Sequence, residues 1–300
     1  LEGFDLKRPG HNSPAYIHLI SEALKLVYSD RENFYGDPDF VDVPMVGLLS
    51  KQYAKKRRGL IDKNKAWSEM PPAGDPWKWQ DSEKKQAVGA DQRRPDSSAE
   101  PGTSDDCDTS YVCVVDKYGN AFSATPSDGS DNTPIIPHTG LAISQRGSQS
   151  WVDHNHASSI QGGKRPRLTP NPSMVFRKGK LFMPFGTPGG DVQCQAMVQV
   201  FLNIVEFQMD PQEAVEAPRF ATFNFPGSFF PHAYHPGLLR VEKRVQDSTS
   251  QQLMDKGHRV DLWPDWAKKA GSVCCIVVDL ENGVLLGAAD PRREAYALGW

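Results

Sequence analysis

The Thr109 hydroxyl stands where a polar stretch gives way to the apolar run Tyr111-Val112-Cys113-Val114-Val115. A hydroxyl in such a place serves as a nucleophile for acyl transfer only when a base is held beside it. Threonine also favours strands and strand starts, so pattern alone reads Thr109 as an exposed residue opening a strand. A second feature is Gly189-Gly190, directly after Pro188. With no Cβ in the way, backbone N–H groups there can approach an oxyanion; the same pair also suits a tight turn or helix cap. The pairs His154/His156 and His232/His235 lack the Cys or carboxylate spacing of a closed zinc site, so no metal is expected and a surface or loop role is assigned to them. A conventional serine hydrolase would need a G-x-S-x-G elbow, and the sequence contains none.

These residues need a scaffold, and composition allows one. Three hundred residues, 38% hydrophobic and 24% charged, are enough for one large core or two smaller ones. A net charge of -3 without a sustained basic block gives no electrostatic reason for a nucleic acid or an anionic membrane as partner. Lys55-Lys56-Arg57-Arg58 is read as a solvated helix face. The apolar stretch Ala196 to Val205 is interrupted by Gln199 and Asn203, so it is no membrane span. Five cysteines, with no CxxC pair, do not form a disulfide framework.

Helical spacing runs from Ser13 to Phe34, with Ser13 as N-cap before Pro14, and a more polar helix is expected from Ser50 to about Leu60. From Ala66 to Cys107 Pro, Gly, Ser, Asp, Lys and Gln dominate, too little apolar surface to order a segment. A buried hairpin then follows, Tyr111 to Val115 and Ala121 to Thr125 across a turn at Lys117 to Asn120. Further strands are expected at Leu141 to Ser144, Met174 to Arg177, Leu181 to Phe185, Ser272 to Asp279 and Val284 to Ala289, with helices at about Val192 to Glu206 and Pro211 to Ala217. Blocks of strands and helices in this order point to a layered α/β sandwich.

The ordered series Tyr111-Val112-Cys113-Val114-Val115-Asp116, Gly119-Asn120-Ala121, Lys164-Arg165-Pro166, Asn171-Pro172, Gly186-Thr187-Pro188-Gly189-Gly190-Asp191, Ala217-Pro218-Arg219-Phe220, Leu239-Arg240-Val241-Glu242 and Asp290-Pro291-Arg292 resembles the small subunit of γ-glutamyltransferases. Gly10-His11-Asn12-Ser13, Glu22-Ala23-Leu24-Lys25 and Ser29-Asp30-Arg31 resemble the end of that family's large subunit. The resemblance implies an α+β fold, the four-layer αββα sandwich of N-terminal nucleophile hydrolases, here incomplete at its N-terminus. It divides the chain into residues 1–65, the helical end of the large subunit; 66–108, a disordered linker; and 109–300, the small catalytic subunit. It also implies a zymogen that cleaves its own Asp108-Thr109 bond, giving a heterodimer of processed subunits or a dimer of such heterodimers. Because the sequence opens at Leu1 without a methionine, the earlier part of the large subunit is expected to lie elsewhere. The cytoplasm is favoured over the periplasm or secretion, although a leader would be invisible here.

On this resemblance Thr109 is the nucleophile and, once freed, its α-amine is the base, with Gly189 and Gly190 as oxyanion donors. Thr125, Ser127, Gln145, Arg146 and Thr169 are the substrate-binding residues, and no cofactor is required. Leu168-Thr169 replaces two adjacent serines of the family, and Gln145-Arg146-Gly147-Ser148 offers no acid for an α-amine. The lid region from Pro126 to His138 is shortened and altered. Exchange of glutathione's glutamyl group is therefore in doubt, and a γ-glutamyl or related dicarboxylic-acid amide with water as acceptor is expected. Arg146 is taken either as a carboxylate ligand or as an ordinary salt-bridged residue, and His138 and His156 remain available for substrate contact. The alternative is a non-enzymatic relative that uses the same sandwich for binding or assembly.

Overall fold

The computed structural model describes residues 1–80, 109–129 and 133–300. Helix α1 (Pro14–Phe34) starts as expected, with the Ser13 side chain accepting from the Tyr16 N–H and Pro14 at its first turn. Two short helices follow, α2 (Met45–Leu49) and α3 (Lys51–Arg58), the latter capped by the Ser50 side chain. Helix α3 is not solvated along its whole basic run. Arg57 is buried, paired with Asp30 and donating to the carbonyls of Leu26 and Pro72.

Nor does an unstructured segment begin at residue 66. Residues 66–80 pack on α1: Lys25 donates to the Trp67 carbonyl, Ser29 to the Pro71 carbonyl, and the Gly74 N–H to Asp30. Ala66 and Trp77 are buried there. Backbone groups satisfied by buried polar side chains replace the apolar burial that the composition lacks. The rest of the expected linker, residues 81–108, lies outside the described residues.

The expected hairpin forms from β1 (Val112–Val115) and β2 (Ala121–Ala124), with Val112 opposite Ala124 and Val115 opposite Ala121. It is not buried, however. Val112, Val114 and Phe122 are 45%, 48% and 58% exposed, because one face packs toward the main sheet and nothing described covers the other. That sheet has the order β3-β4-β8-β9, from β3 (Ser173–Arg177), β4 (Lys180–Gly186), β8 (Cys274–Asp279) and β9 (Val284–Ala289), all antiparallel. Leu141 to Ser144 is no strand; it holds one bridge, Ile135 to Ala142, and stays exposed.

A second sheet has the order β5-β6-β7: β5 (Phe220–Thr222), β6 (Leu238–Glu242) and β7 (Arg259–Trp263), with β6 and β7 parallel and α6 (Asp247–Asp255) connecting them. Between the two sheets runs α4 (Gln193–Val205), followed by α5 (Pro211–Glu216). Met183, Phe185, Met197, Val200 and Val277 join one face of α4 to the four-stranded sheet. Leu202 instead meets Tyr16, Ile17 and Ile20 of α1, with Leu239 and Val241 of β6. The chain is thus a mixed α+β fold with a core on each side of α4.

Candidate active site

Thr109 lies just before β1, and its position follows from how that strand seats on the main sheet. The Tyr111 ring occupies the space a Cβ on Gly186 would fill, 2.3 Å from its nearest carbon, so only glycine at the end of β4 admits it. Its hydroxyl bonds Ser123 on β2 at 2.8 Å, and the Ser110 N–H donates to the Pro126 carbonyl. The strand start is thereby anchored at three points. Thr109 is buried, 8% exposed, with its hydroxyl 2.5 Å from that of Ser127. The exposed strand-opening residue that pattern alone suggests is not what forms.

From Ser127 the polar contacts continue. Arg146 donates to both the hydroxyl and the carbonyl of Ser127 and to the side-chain oxygen of Gln149, which donates in turn to the Thr169 hydroxyl at 3.3 Å. A short 3-10 turn, Gln145–Gln149, capped by Ser144, sets Arg146 and Gln149 three residues apart on one side. Four of the expected residues, Thr109, Ser127, Arg146 and Thr169, are therefore joined in one chain of hydrogen bonds. Gln149 is fully buried and completes the chain, although the sequence reading passed over it. Its only signal was the three-residue spacing from Arg146.

The other expected residues behave differently. Thr125 is buried, but its hydroxyl has no hydrogen-bond partner among the described residues. Gln145 contributes backbone only: its N–H donates to Gly129, and its carbonyl accepts from Ser148. Asp108 lies outside the described residues. His156 is not available to a substrate. It is buried, stacked on Trp151 at 4.2 Å with His232 on the opposite contact at 3.9 Å, and its ring faces Glu32. His232 and His235 are also buried rather than on the surface.

Gly189 and Gly190 have φ of 131° and 52°, a pair of conformations that L side chains rarely adopt. They lead through the 3-10 turn Gly190–Val192 into α4, so the N–H groups at this junction lie at a helix N-terminus. Asp191 locks the turn: it is buried, paired with Arg31 of α1, and accepts from both the N–H and the hydroxyl of Ser228. The Tyr28 hydroxyl donates to its carbonyl at 2.6 Å. Arg31 is buried, which disfavours its charge, but Asp191 and Glu32 outweigh that and hold it protonated. Thr109 and Pro188, the residue before the paired glycines, both line one cleft of about 1060 Å³.

Comparison with known proteins decides the family. The Gamma-glutamyltranspeptidase family profile matches residues 1–300. The chain belongs to the γ-glutamyltranspeptidase family. Among curated relatives of this transpeptidase-family chain is the glutathione hydrolase-like YwrD proenzyme of Bacillus subtilis (strain 168), 33% identical over 100% of the chain and 50% of that protein. Two solved structures are similar to it. LmbA2991HD is 36% identical with a TM-score of 0.83, over 95% of this chain and 48% of that one. The cephalosporin acylase from Bacillus halodurans is 25% identical with a TM-score of 0.74, over 96% and 45%. The chain spans about half the length of the curated relatives it matches. No described helix is long and apolar enough to cross a membrane.

Proposed function

We propose that this transpeptidase-family chain is the catalytic part of a self-processing amide hydrolase that works through a Thr109 acyl-enzyme. The observation that carries the reading is the buried Thr109 at the wall of the cleft, its hydroxyl bonded to that of Ser127. As an internal residue Thr109 has an amide nitrogen and no base of its own. Cleavage of the Asp108-Thr109 bond would free an α-amine, whose ordinary pKa is about 7.7–8.0.

In the reaction, the Thr109 oxygen attacks the amide carbonyl while its proton passes to that amine. The Gly189 and Gly190 N–H groups donate to the tetrahedral oxyanion, and loss of one such donor costs roughly 2.7–4 kcal/mol. Collapse expels the leaving amine, which takes up the proton. Water then attacks the ester, the Thr109 amine again accepting and returning a proton, and a free acid departs.

Arg146 supports an acyl group with an acidic function, a γ-glutamyl or related dicarboxylic-acid amide, with water as acceptor. Thr169 and Ser127, which share its line of hydrogen bonds, would bind the same group. A binding or assembly module gains no support, since relatives named for their activity are a hydrolase and an acylase.

The test is intact mass spectrometry with N-terminal sequencing. Wild type is expected as two fragments, the smaller beginning at Thr109. Thr109→Ala is expected to stay whole and to lose hydrolysis by several orders of magnitude. A protein that hydrolyses amides while remaining uncut would refute the scheme.

A further inference from the structure

One loop touches both halves of the candidate site. Residues 226–234 are closed by a bridge between Pro226 and Tyr234. On one side Ser228 holds Asp191 and the Pro226 carbonyl accepts from Arg31, so the loop braces the glycine turn before α4. On the other side the Phe230 N–H donates to the Ser148 carbonyl, and the Arg146 guanidinium lies 5.6 Å over the Phe229 ring. Arg146 and Ser148 belong to the turn Gln145–Gln149, whose last residue reaches Thr169.

His232 lies in this loop and takes no part in the proposed chemistry. Its φ is 60°, in the left-handed region that a residue with a side chain enters at a cost. It is buried and stacked 3.9 Å from Trp151, with the two planes 6° apart. Both ring nitrogens face backbone carbonyls. Nδ1 is 2.9 Å from that of Gly227, inside the loop, and Nε2 is 3.2 Å from that of Ser150, the residue capping the Arg146 turn. A carbonyl only accepts, so a neutral ring serves one of the two and an imidazolium serves both. Trp151 presents its π face to such a cation. The charged and titratable groups around the ring are Glu32 and Arg167, with His156 on the far face of Trp151. Burial, the largest influence, and Arg167 lower the His232 pKa, while the two carbonyls and Glu32 raise it. The balance lies below the ordinary 6.5, so the ring takes its second proton on the acid side of neutrality.

We infer that His232 is a positioning residue: it ties the turn bearing Arg146 to the loop that braces the paired glycines, and the tie to Ser150 closes when the imidazole is protonated. The inference rests on the Thr109 acyl-enzyme reading, since a substrate must span from the oxyanion donors to Arg146. The neutral ring keeps its shorter bond, to Gly227. Protonation adds the outward bond, so binding of the acyl group tightens on acidification. The chemical step slows there instead, because its base is the Thr109 amine, with an ordinary pKa of about 7.7–8.0. KM and kcat therefore respond to pH through different groups.

Steady-state kinetics of the processed protein on glutaryl p-nitroanilide, between about pH 5 and 8, tests this. KM is expected to fall roughly two- to tenfold toward acid pH, the worth of one hydrogen bond, while kcat also falls. His232→Asn keeps a donor near the Nδ1 position, reaches no further and does not titrate, so its KM should stay at the high value throughout. His232→Gln places an amide donor near the Nε2 position, so its KM should stay at the low value throughout. If both variants keep the wild-type KM profile, or both lose kcat and KM alike together with their unfolding midpoint, the positioning role is overturned and the Thr109 reading stands. The ring is also read without turnover, by nitrogen-15 NMR of histidine-labelled, uncut Thr109→Ala protein, its signal assigned by loss in His232→Asn. A second ring N–H appearing on acidification is expected, and a ring that keeps one N–H down to about pH 5 overturns the tie. Should the processed protein hydrolyse no amide, the Thr109 reading fails and the NMR result alone decides whether the tie forms.

Discussion

Thr109, Ser127, Arg146, Gln149 and Thr169 come from four separated stretches and share one line of hydrogen bonds, in which the direction of each proton matters. A guanidinium can only donate, so the Ser127 oxygen accepts from Arg146, which makes the serine proton a better donor to Thr109. The Thr109 proton then stays free for a base. Ser127→Ala is expected to lower kcat/KM roughly 10- to 100-fold, the scale of one hydrogen bond in a charged network, with unchanged far-UV circular dichroism. Arg146→Lys should not restore a loss seen in Arg146→Gln. A lysine ammonium is a point donor and cannot fork to the hydroxyl and carbonyl of Ser127 together. Steady-state kinetics on processed protein checks both expectations.

At the scale of elements, α4 is held by polar groups as much as by apolar ones. Gln195 and Gln199, one turn apart, use their side-chain amides as a substitute strand: Gln195 pairs with the N–H and C=O of Thr222, and Gln199 with those of Phe220. They close the edge of β5 that β6 leaves open. This explains why a helix between two sheets has glutamines on a buried face. The glycine turn before α4 is tied to α1 through Arg31 and Asp191. Arg31→Met would leave the Asp191 carboxylate buried without its cation. A loss of about 3–5 kcal/mol in unfolding free energy is expected, read by urea denaturation. Hydrolysis should fall further than stability accounts for, since the turn carrying Gly189 and Gly190 loses its tether.

For the whole molecule, the consequence is that residues before Thr109 and residues after it share a core. Leu6, Tyr16, Ile17 and Ile20 pack with Phe220, Leu239, Val245 and Leu253. After cleavage the two fragments should therefore co-elute in size-exclusion chromatography and separate only in denaturant. A buried histidine pair also bridges them. The His18 Nε2 donates to the Asp62 carbonyl, and with both rings neutral its Nδ1 accepts from the Nε2–H of His258 at 2.9 Å. Burial, then Lys25, His18 and Lys256, push the His258 pKa down to about 2. An unfolded histidine takes its proton near 6.5, so the unfolded state binds more protons below that pH. The contribution is whole above about 6.5 and is lost as pH falls from there toward 2. His258→Asn should flatten the decline in unfolding free energy between pH 6.5 and 4.5 by up to about 1.4 kcal/mol per pH unit.

What the sequence determined by itself was local. Ser13-Pro14 and the helical periodicity after it specify α1, the turn at Lys178-Gly179 specifies the β3–β4 hairpin, and the paired glycines mark the junction before α4, because each needs only neighbours in the chain. Thr109 was legible as a candidate nucleophile only through the order of motifs around it, since Thr at a strand start carries no chemistry of its own. The second sheet was not legible. Its strands have three to five residues, and the parallel pairing of β6 with β7 depends on a connection through α6. Packing of 66–80, burial of Arg57 and His156, and the place of Gln149 were decided by partners far away in the chain: Asp30, Glu32 and Thr169. Only the tertiary fold could set the Thr109 hydroxyl against Ser127 and gather Tyr35, Met45 and Leu168 around one cleft, because buried polar groups and concave apolar walls are properties of surfaces that meet.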